Sequence, residues 1–574
     1  MALNAPDYDG RTPLSWAAES GSESAVQALL DCREVNVDKT DRDHRTPLAW
    51  ACANGHVSVV NLLLQHGAKT TSELDDQVIV QRRTPLHLAC HFGHTDVVKV
   101  LLQYGAPADS RNILTFDRLV CSDPRPPLMI AASRGYDSIV KLLIASDIEI
   151  DPRDVFGTTP LHAAVGNNHI RTARLLIEKG ADAHAQNNEG RTPLMLTLLT
   201  GNLDMAECLL QSGADINQGN NKTGTTALML AATHGGVTVT KFLLDHGAEV
   251  DARDERGFTA LTCATEAGEV PVAKLLVSRG AGPNSFTNAM NGERDLNYTN
   301  LYEEEEPVSA LGHAIKNGKE AVAEFLLTAG AEIDCGDACG QTPLFYAARA
   351  CDINMVKLLL QHGSAVDSVD SEGHTPLMRA IDPLTAASRR EAPTILEDYI
   401  LPGLKTLEQR RGTKLRDIVL LLLAAGVAVD YRDPRGRSAL SYAAQRRYYR
   451  VVQELCRRGS DIEQSDEDGR TPLSWAAEGY WSLPDRDYVP SSSGLKIVEY
   501  LVGKGADING CDNDGRSPLW WASCHPENDR TINFLLGRNA TVNLSTSRGE
   551  NSHGEPSYYD LFMGFTKEPE ELPL

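Results

Sequence analysis

Gly340-Gln341-Thr342-Pro343-Leu344-Phe345-Tyr346-Ala347-Ala348 is the clearest copy of a phrase that recurs along this chain of 574 residues. Thr342 suits the N-cap of a helix, because its hydroxyl oxygen can accept a backbone N–H of the first turn, and Pro343 suits the first helical position. Leu344 and Ala347-Ala348 then follow at the i, i+3, i+4 spacing of one helix face. The phrase therefore predicts a short helix with a narrow apolar stripe.

A second helix is indicated by the residues that follow this phrase. Ile353, Val356, Leu359 and Leu360 form its apolar face, and Gly363 can adopt the positive φ that often ends a helix. One such helix pair has too small an apolar face to fold alone. Its stability must come from stacking on neighbouring pairs.

The phrase recurs at a spacing close to 33 residues, the distance between Leu161 and Leu194. Its copies are marked by the leucines Leu14, Leu48, Leu86, Leu128, Leu161, Leu194, Leu228, Leu261, Leu311, Leu344, Leu377, Leu440, Leu473 and Leu519. The sequence therefore predicts an all-α solenoid of about 14 helix-turn-helix repeats joined by hairpin loops.

The period and the wording resemble those of the ankyrin-repeat family. Matching pieces include Gly190-Arg191-Thr192-Pro193-Leu194, Gly93-His94 and Gly505-Ala506-Asp507-Ile508-Asn509, and the match extends over about residues 7–545. We therefore expect one continuous array over residues 1–545, followed by an acidic C-terminal tail over residues 546–574.

Insertions are expected where the spacing between successive leucines is longer. They fall at about residues 106–127, 283–306, 382–412 and 479–494. The insertion at 382–412 lies between the two helices of one repeat. Its apolar stretch from Ile395 to Leu407, broken at Pro402-Gly403, indicates added helical structure.

Composition and charge exclude several function classes. The formal net charge of −23 opposes direct binding to nucleic acid or to an anionic membrane. No secretory leader or membrane span is evident, which predicts an intracellular protein of the cytoplasm or nucleus. The cysteines are scattered, and Cys335 and Cys339 have no second pair at ligand spacing, so we expect no metal site.

Catalytic motifs are absent from the sequence. It contains no His-Glu-x-x-His, no Gly-x-Ser-x-Gly, no phosphate-binding loop and no kinase signature, which favours a non-enzymatic protein without cofactors. An opposing hypothesis is a composite catalytic site or lid that the 382–412 insertion or the tail would add.

Histidines and tryptophans occupy fixed repeat positions. His56, His94 and His169 stand where the second helix of a repeat begins, which favours a structural role. Trp16, Trp50, Trp475 and Trp521 all lie two residues after a repeat leucine, so they share one position on the first helix. Packing within and between repeats is the favoured interpretation, and a surface row of indoles for ligand binding is the alternative.

One stretch is basic in an otherwise acidic chain. Residues 379–458 hold sixteen lysines and arginines against nine aspartates and glutamates. The arginines and tyrosines of one repeat there are typical of interface hot spots: Tyr431, Arg435, Arg437, Arg446, Arg447 and Arg450. The alternative is that these arginines neutralise acidic hairpins of adjacent repeats or the acidic 283–306 loop.

The family resemblance implies that partners are held on the concave side, by hairpin tips and first helices. Carried over to this chain, the candidate contact residues are Tyr8, Arg11, Arg42, Arg45, Arg191, Phe258, His374, Arg437, Arg470 and Arg516. The leading hypothesis is thus a scaffold or adaptor that binds other proteins. Some fungal ankyrin-array proteins act as transcription co-regulators, which implies an alternative: action through a DNA-binding partner, for example of a fungal secondary-metabolite gene cluster.

Overall fold

The computed structural model describes residues 4–32, 34–71, 84–109, 125–287, 308–382, 404–478, 492–524 and 528–541. Most of the expected insertions and the whole expected tail lie outside these residues. The hypothesis of a catalytic site in the 382–412 insertion or the tail therefore falls largely outside them too.

The described residues form fourteen pairs of helices, which confirms the predicted all-α repeat architecture. The first helices of the pairs are α1 (Pro13–Ser20), α3 (Pro47–Asn54), α5 (Pro85–Phe92), α7 (Pro127–Arg134), α9 (Pro160–Gly166), α11 (Pro193–Thr200), α13 (Ala227–Leu230), α15 (Ala260–Ala267), α17 (Ala310–Lys316), α19 (Pro343–Arg349), α21 (Pro376–Ile381), α23 (Ala439–Gln445), α25 (Pro472–Glu478) and α27 (Pro518–Ser523). The second helices are α2 (Glu23–Leu30), α4 (Val57–Gln65), α6 (Thr95–Gln103), α8 (Asp137–Ile144), α10 (Ile170–Glu178), α12 (Leu203–Gln211), α14 (Gly236–Asp245), α16 (Val270–Ser278), α18 (Glu320–Thr328), α20 (Ile353–Gln361), α22 (Leu404–Ala424), α24 (Tyr449–Arg457), α26 (Ser492–Gly503) and α28 (Asp529–Gly537).

Two pairs depart from the common form. A π-helical turn, Ala231–Gly235, joins α13 directly to α14. Helix α22 begins at Leu404, inside the expected 382–412 insertion, and has 21 residues. The end of that insertion is therefore the start of a second helix.

Threonine caps start most first helices as the phrase predicts. The Thr46 hydroxyl accepts the Ala49 N–H at 3.2 Å, and the Thr192 hydroxyl accepts the Met195 N–H at 3.2 Å. Thr342 has the extended backbone of an N-cap, but its buried hydroxyl makes no capping hydrogen bond. Pro343 and the buried Leu344 therefore start α19 without help from that side chain.

The chain divides into two compact units. Unit 1 comprises residues 1–264 and 278–281, and unit 2 comprises residues 265–277 and 282–574. Within each unit, first helices pack on first helices and second helices on second helices of the next pair. In unit 1 the repeat leucines and small alanines form one hydrophobic cluster from Leu14 to Ala214, as expected when each pair buries its face on its neighbours.

Histidines at the start of second helices connect each repeat to the one before it. The Nε2 atoms of His56, His94 and His169 lie 2.9, 3.0 and 3.1 Å from the carbonyl oxygens of Glu19, Ala53 and Ser133. Each ring also covers a glycine with positive φ in the preceding repeat. The structural role expected for these histidines is therefore what the described contacts show.

We expect Gly135→Ala to lower the free energy of unfolding by about 2 kcal/mol, and Gly180→Ala by about 1 kcal/mol. Both glycines have positive φ, 73° and 98°, which disfavours alanine. A Cβ at position 135 would in addition lie 2.5 Å from Nδ1 of His169, whereas one at position 180 would meet no atom within 4 Å. Urea denaturation of the two variants measures the difference. Equal losses would show that the His169 ring does not constrain position 135.

Candidate functional site

Most hairpins between repeats in the described residues are closed by an oxygen of their first side chain. Asp433 is typical: its Oδ1 accepts the backbone N–H groups of Arg435 and Arg437 at 2.9 and 2.8 Å. The same bond to the residue four positions on is made by Asp7, Asp41, Asp154, Asn187, Asp254, Asp337, Asp370, Asp466 and Asp512. This local turn sets the direction in which the hairpin tip points.

The second carboxylate oxygen of many of these aspartates receives a donor from the first helix. The donor lies nine residues later, at the position that the tryptophans share. Oδ2 accepts the indole N–H of Trp16, Trp50, Trp475 and Trp521 at 2.8, 2.8, 2.9 and 3.0 Å. It accepts the hydroxyl of Tyr442 at 2.6 Å. The tryptophans therefore connect the first helix to its own hairpin. Trp521 is buried, as the packing interpretation expects, whereas Trp16 is 49% exposed.

Arginines lie between these rings. The guanidinium carbon of Arg470 is 3.5 Å from the ring centroids of both Trp475 and Trp521. That of Arg437 is 4.0 Å from Tyr442 and 4.1 Å from Trp475. A planar cation can use both of its faces in this way. We call the series Tyr442, Arg437, Trp475, Arg470, Trp521 and Arg516 the arginine ladder of unit 2.

Unit 1 begins with a shorter arrangement of the same kind. Arg11 lies 3.6 Å from the Trp16 centroid and 4.1 Å from the Trp50 centroid, and it forms an ion pair with Glu19. At the hairpin tips beside it, Arg42 lies 4.6 Å from the Tyr8 ring.

The predicted contact residues divide into three groups by exposure. Buried against neighbouring repeats are Arg11, Phe258, Arg437 and Arg470. Half-buried are Arg191, His374, Tyr431, Arg446, Arg447 and Arg516. Exposed to solvent are Tyr8, Arg42, Arg45, Arg435 and Arg450. A partner can touch the last group without any rearrangement of the array.

Several of the arginines are paired inside the array. Arg446 forms an ion pair with Asp382, and Arg470 with Glu478. Arg379 donates from Nε to Asp370 at 2.6 Å. Of the candidate contact residues at positions 431–450, Arg446 is thus paired with an acidic side chain at the end of α21.

Burial and hydrogen bonding shift the pKa values of buried arginines and aspartates in this region. Burial disfavours the charged form and lowers the pKa of Arg437 and of Arg470. Burial acts to raise the pKa of Asp370, but hydrogen bonds from His374 and from Arg379 outweigh it and hold that pKa below its usual range. Asp370 is thus a carboxylate that the fold stabilises in its charged form.

Asp254 is in the opposite situation. Its Oδ1 accepts the backbone N–H of Phe258 at 2.8 Å, but the position nine residues later is Cys263, and Arg256 lies 3.8 Å from Oδ2. Burial raises the pKa of this carboxyl group. Its folded state therefore holds a proton to higher pH than the unfolded chain, and the stability this gives is lost as the pH rises through the folded pKa.

We expect Asp254→Asn to raise the free energy of unfolding at pH 7 by about 0.5 kcal/mol, since asparagine keeps the Oδ1 bonds and cannot ionise. The gain should vanish as the pH falls below about 4, where the wild-type carboxyl is protonated in both states. Urea denaturation at both pH values measures it. The same exchange at Asp433, whose Oδ2 accepts the Tyr442 hydroxyl, should destabilise instead. A gain at Asp254 that does not depend on pH would contradict the argument.

Neither a metal centre nor a membrane span is found in the part of the chain that the structure describes. No group of three or more histidine, cysteine, aspartate or glutamate side chains within the described ranges is placed to hold a metal ion. None of the helices in those ranges is long and apolar enough to cross a membrane.

Family models of ankyrin repeats match most of the chain. The family "Ankyrin repeats (3 copies)" matches residues 2–73, 34–112, 71–154, 128–220, 217–287, 311–386 and 410–483, and the family "Ankyrin repeat" matches residues 468–513.

Matches to individual proteins are partial. Human "Ankyrin repeat domain-containing protein 63" is 48% identical over 59 residues, 10% of this chain and 16% of that protein. "Protein glp-1" of Caenorhabditis elegans is 30% identical over 169 residues, 26% of this chain and 13% of that protein. The chain thus spans less than one fifth of the length of either relative.

A solved structure, that of the human ASB11 ankyrin repeat domain, aligns over 42% of this chain and 99% of that chain, with 29% identity and a TM-score of 0.36. The family matches cover most of the sequence and coincide with the helix pairs described above. The chain therefore belongs to the ankyrin-repeat family.

Proposed function

We propose that this protein is a non-enzymatic interaction scaffold that binds partner proteins through its hairpin tips and first helices. The observation that carries the proposal is the presence of large exposed side chains at hairpin tips, where the fold itself does not need them. Tyr8 is 83% exposed, and Val155 and Phe156 at another tip are 55% and 70% exposed. Exposed aromatic and basic groups of this kind are enriched in protein interfaces.

The charge of the chain favours proteins over nucleic acids as the partners. The net charge of −23 opposes phosphate-rich ligands, while basic tips such as Arg42 and Arg435 are exposed and can select an acidic protein surface. We place the scaffold inside the cell, in the cytoplasm or the nucleus. The buried thiols of Cys52 and Cys90, whose pKa burial raises, suit a reducing compartment.

The test is an affinity purification from the native cell with three matched variants. One changes tips of unit 1 (Tyr8→Ser with Arg42→Glu). Another changes the tip residue Arg435 of unit 2 and the exposed Arg432, which directly precedes that hairpin (Arg432→Glu with Arg435→Glu). The control places the charge change of the unit 2 variant on an exposed face of a second helix (Arg171→Glu with Arg174→Glu on α10). Circular dichroism checks that all three are folded.

We expect partners to be lost with a tip variant and kept with the α10 control. Partner sets that are identical for all variants, or equal losses with the control, would remove the hairpin tips as the binding surface. A DNA-binding transcription factor among the partners lost would favour the narrower hypothesis of a transcription co-regulator.

A further inference from the structure

A ring-on-glycine contact recurs between neighbouring repeats of unit 1. A Cβ added to Gly21, Gly55, Gly93 or Gly135 would lie 2.5 to 2.7 Å from the ring of His56, His94, Tyr136 or His169, respectively. In each case the ring belongs to the residue that precedes the second helix of the next repeat. The glycine therefore forms the floor of a notch, and a ring of the same chain fills it.

The notch over Gly201 is open. Gly201 ends α11 with a φ of 70°, as the other four glycines end their helices, but a Cβ there would meet no atom of the described residues within 4 Å. The residue at the position of the ring is Gly236, which has no side chain. The π-helical turn precedes it, and Gly236 has a φ of 70° that suits glycine. The chain thus leaves vacant here the space that it fills in four other repeats.

A hydrogen-bond acceptor is left at this notch. The three imidazole rings bond the carbonyl oxygen two residues before their glycine, at 2.9 to 3.1 Å. The equivalent carbonyl oxygen is that of Leu199, and within the described residues no hydrogen bond to it is found. An acceptor near the end of a helix is favoured by a donor at this place.

Two exposed apolar residues are close in sequence to the two glycines of the notch. Leu199 is 43% exposed and Val237, which directly follows Gly236, is 42% exposed. They are two of the few large apolar residues of the described chain with that much exposure. Apolar groups near a single polar acceptor suit a flat ring with one N–H donor.

We propose that the notch formed by Leu199, Gly201, Gly236 and Val237 receives a histidine side chain of a partner protein. The imidazole lies on Gly201, its N–H donates to the Leu199 carbonyl oxygen, and its edges contact Leu199 and Val237. Histidine is the occupant because all three rings that make this carbonyl bond in unit 1 are imidazoles. The inference rests on the proposed scaffold function and adds one specific contact to it.

An open glycine in unit 2 does not carry the same inference. Gly318 also has no atom within 4 Å of an added Cβ. The next repeat there has Asp352, whose carboxylate accepts the N–H groups of Asn354 and Met355 at 3.1 Å. A side chain is therefore present at that position and is used to cap its own helix.

The test is a titration of the full chain with 4-methylimidazole, the side-chain analogue of histidine, followed by NMR of the methyl groups of Leu199 and Val237. The protein carries no histidine tag, and the pH is about two units above the imidazole pKa so that the probe is neutral. The negative probe is 1-methylimidazole, which has no N–H to donate. The variant Gly236→His places an imidazole at the chain position that bears the ring in the other repeats.

We expect saturable shifts of both methyl groups with 4-methylimidazole, and at least roughly tenfold weaker binding of 1-methylimidazole, as the loss of one hydrogen bond predicts. Gly236→His should abolish the response. His169→Gly, which opens the equivalent notch over Gly135, should create a second site. Stronger binding of p-cresol than of 4-methylimidazole would assign the notch to tyrosine and overturn the histidine proposal.

Absence of saturable shifts in the wild-type chain, or equal shifts with both imidazoles, would also overturn it. That result does not depend on whether Gly236→His folds. It would also leave the scaffold proposal intact, because the latter is judged by partner proteins and hairpin-tip variants.

Discussion

Arg470→Ala is expected to lower the free energy of unfolding by about 3 kcal/mol. Its guanidinium carbon lies 3.5 Å from the centroids of Trp475 and Trp521, and a cation–π contact is worth about 1 to 2 kcal/mol when desolvated. The variant also leaves Glu478, its partner in an ion pair, without that charge. The loss of the two cation–π contacts and the unpaired Glu478 carboxylate both lower the free energy of unfolding.

Arg191→Ala is the matched control, because Arg191 occupies the same place in an identical Gly-Arg-Thr-Pro-Leu phrase. Its side chain is 40% exposed and pairs with the exposed Glu189, so we expect a loss of no more than about 0.5 kcal/mol. Arg470→Lys should be nearly as damaging as Arg470→Ala, since an ammonium group cannot stack on two rings at once. Urea denaturation followed by circular dichroism measures all three. Similar losses for Arg470→Ala and Arg191→Ala would refute a stabilising role for the arginine ladder.

Asp433→Ala is expected to cost about 3 kcal/mol as well. The buried carboxylate accepts the Tyr442 hydroxyl at 2.6 Å and the backbone N–H groups of Arg435 and Arg437 at 2.9 and 2.8 Å. Removal of the acceptor leaves three donors without it. Tyr442 is itself buried, so its hydroxyl cannot turn to water and keeps only its contact with His374 Nε2 at 3.0 Å.

Asn187→Ala separates the two kinds of bond. Asn187 accepts the same pair of backbone N–H groups, but the residue nine positions later is Leu196, which has no donor. We expect Asn187→Ala to cost about 1 to 2 kcal/mol, the part due to the hairpin alone. Thermal or urea denaturation of the Asp433→Ala and Asn187→Ala variants measures the two losses in the free energy of unfolding. An Asp433→Ala loss no larger than that of Asn187→Ala would mean that the Tyr442 bond contributes nothing.

Much of the fold could be predicted from the sequence, because short-range rules determine it. The spacing of Leu344 and the alanine pair, the threonine before proline and the glycine at the end of each helix are local signals, and all fourteen helix pairs are found where they predict. Thr342 is an exception within this pattern, since its position as a cap could be predicted but its missing hydrogen bond depends on the packing around it.

The placement of the candidate contact residues could not be predicted as well. Arg437 and Arg11 were expected at a surface because they occupy variable positions of the repeat. Their burial depends on which ring the adjacent repeat provides, Trp475 in one case and Trp50 in the other, and no local rule contains that information. A sequence signal for the hairpin-to-helix bond does exist. Aspartate opens the hairpins whose first helix carries an indole or phenol donor. Asn187 and Asn220 instead open hairpins whose first helices carry Leu196 and Leu230 at that position.

This pairing sets the repeats of the arginine ladder apart from the Asn187 repeat, and the two are not interchangeable. Arg437 and Arg470 each contact a ring of their own repeat and another of the next, so a ladder repeat can be duplicated or removed beside another of its kind with these contacts restored. A repeat transplanted from the Asn187 region into the ladder would instead present Leu196 to an arginine that had lost its ring. We therefore expect the array to keep its stability when ladder repeats are duplicated or removed, and to lose stability when a repeat such as that of Asn187 is inserted among them.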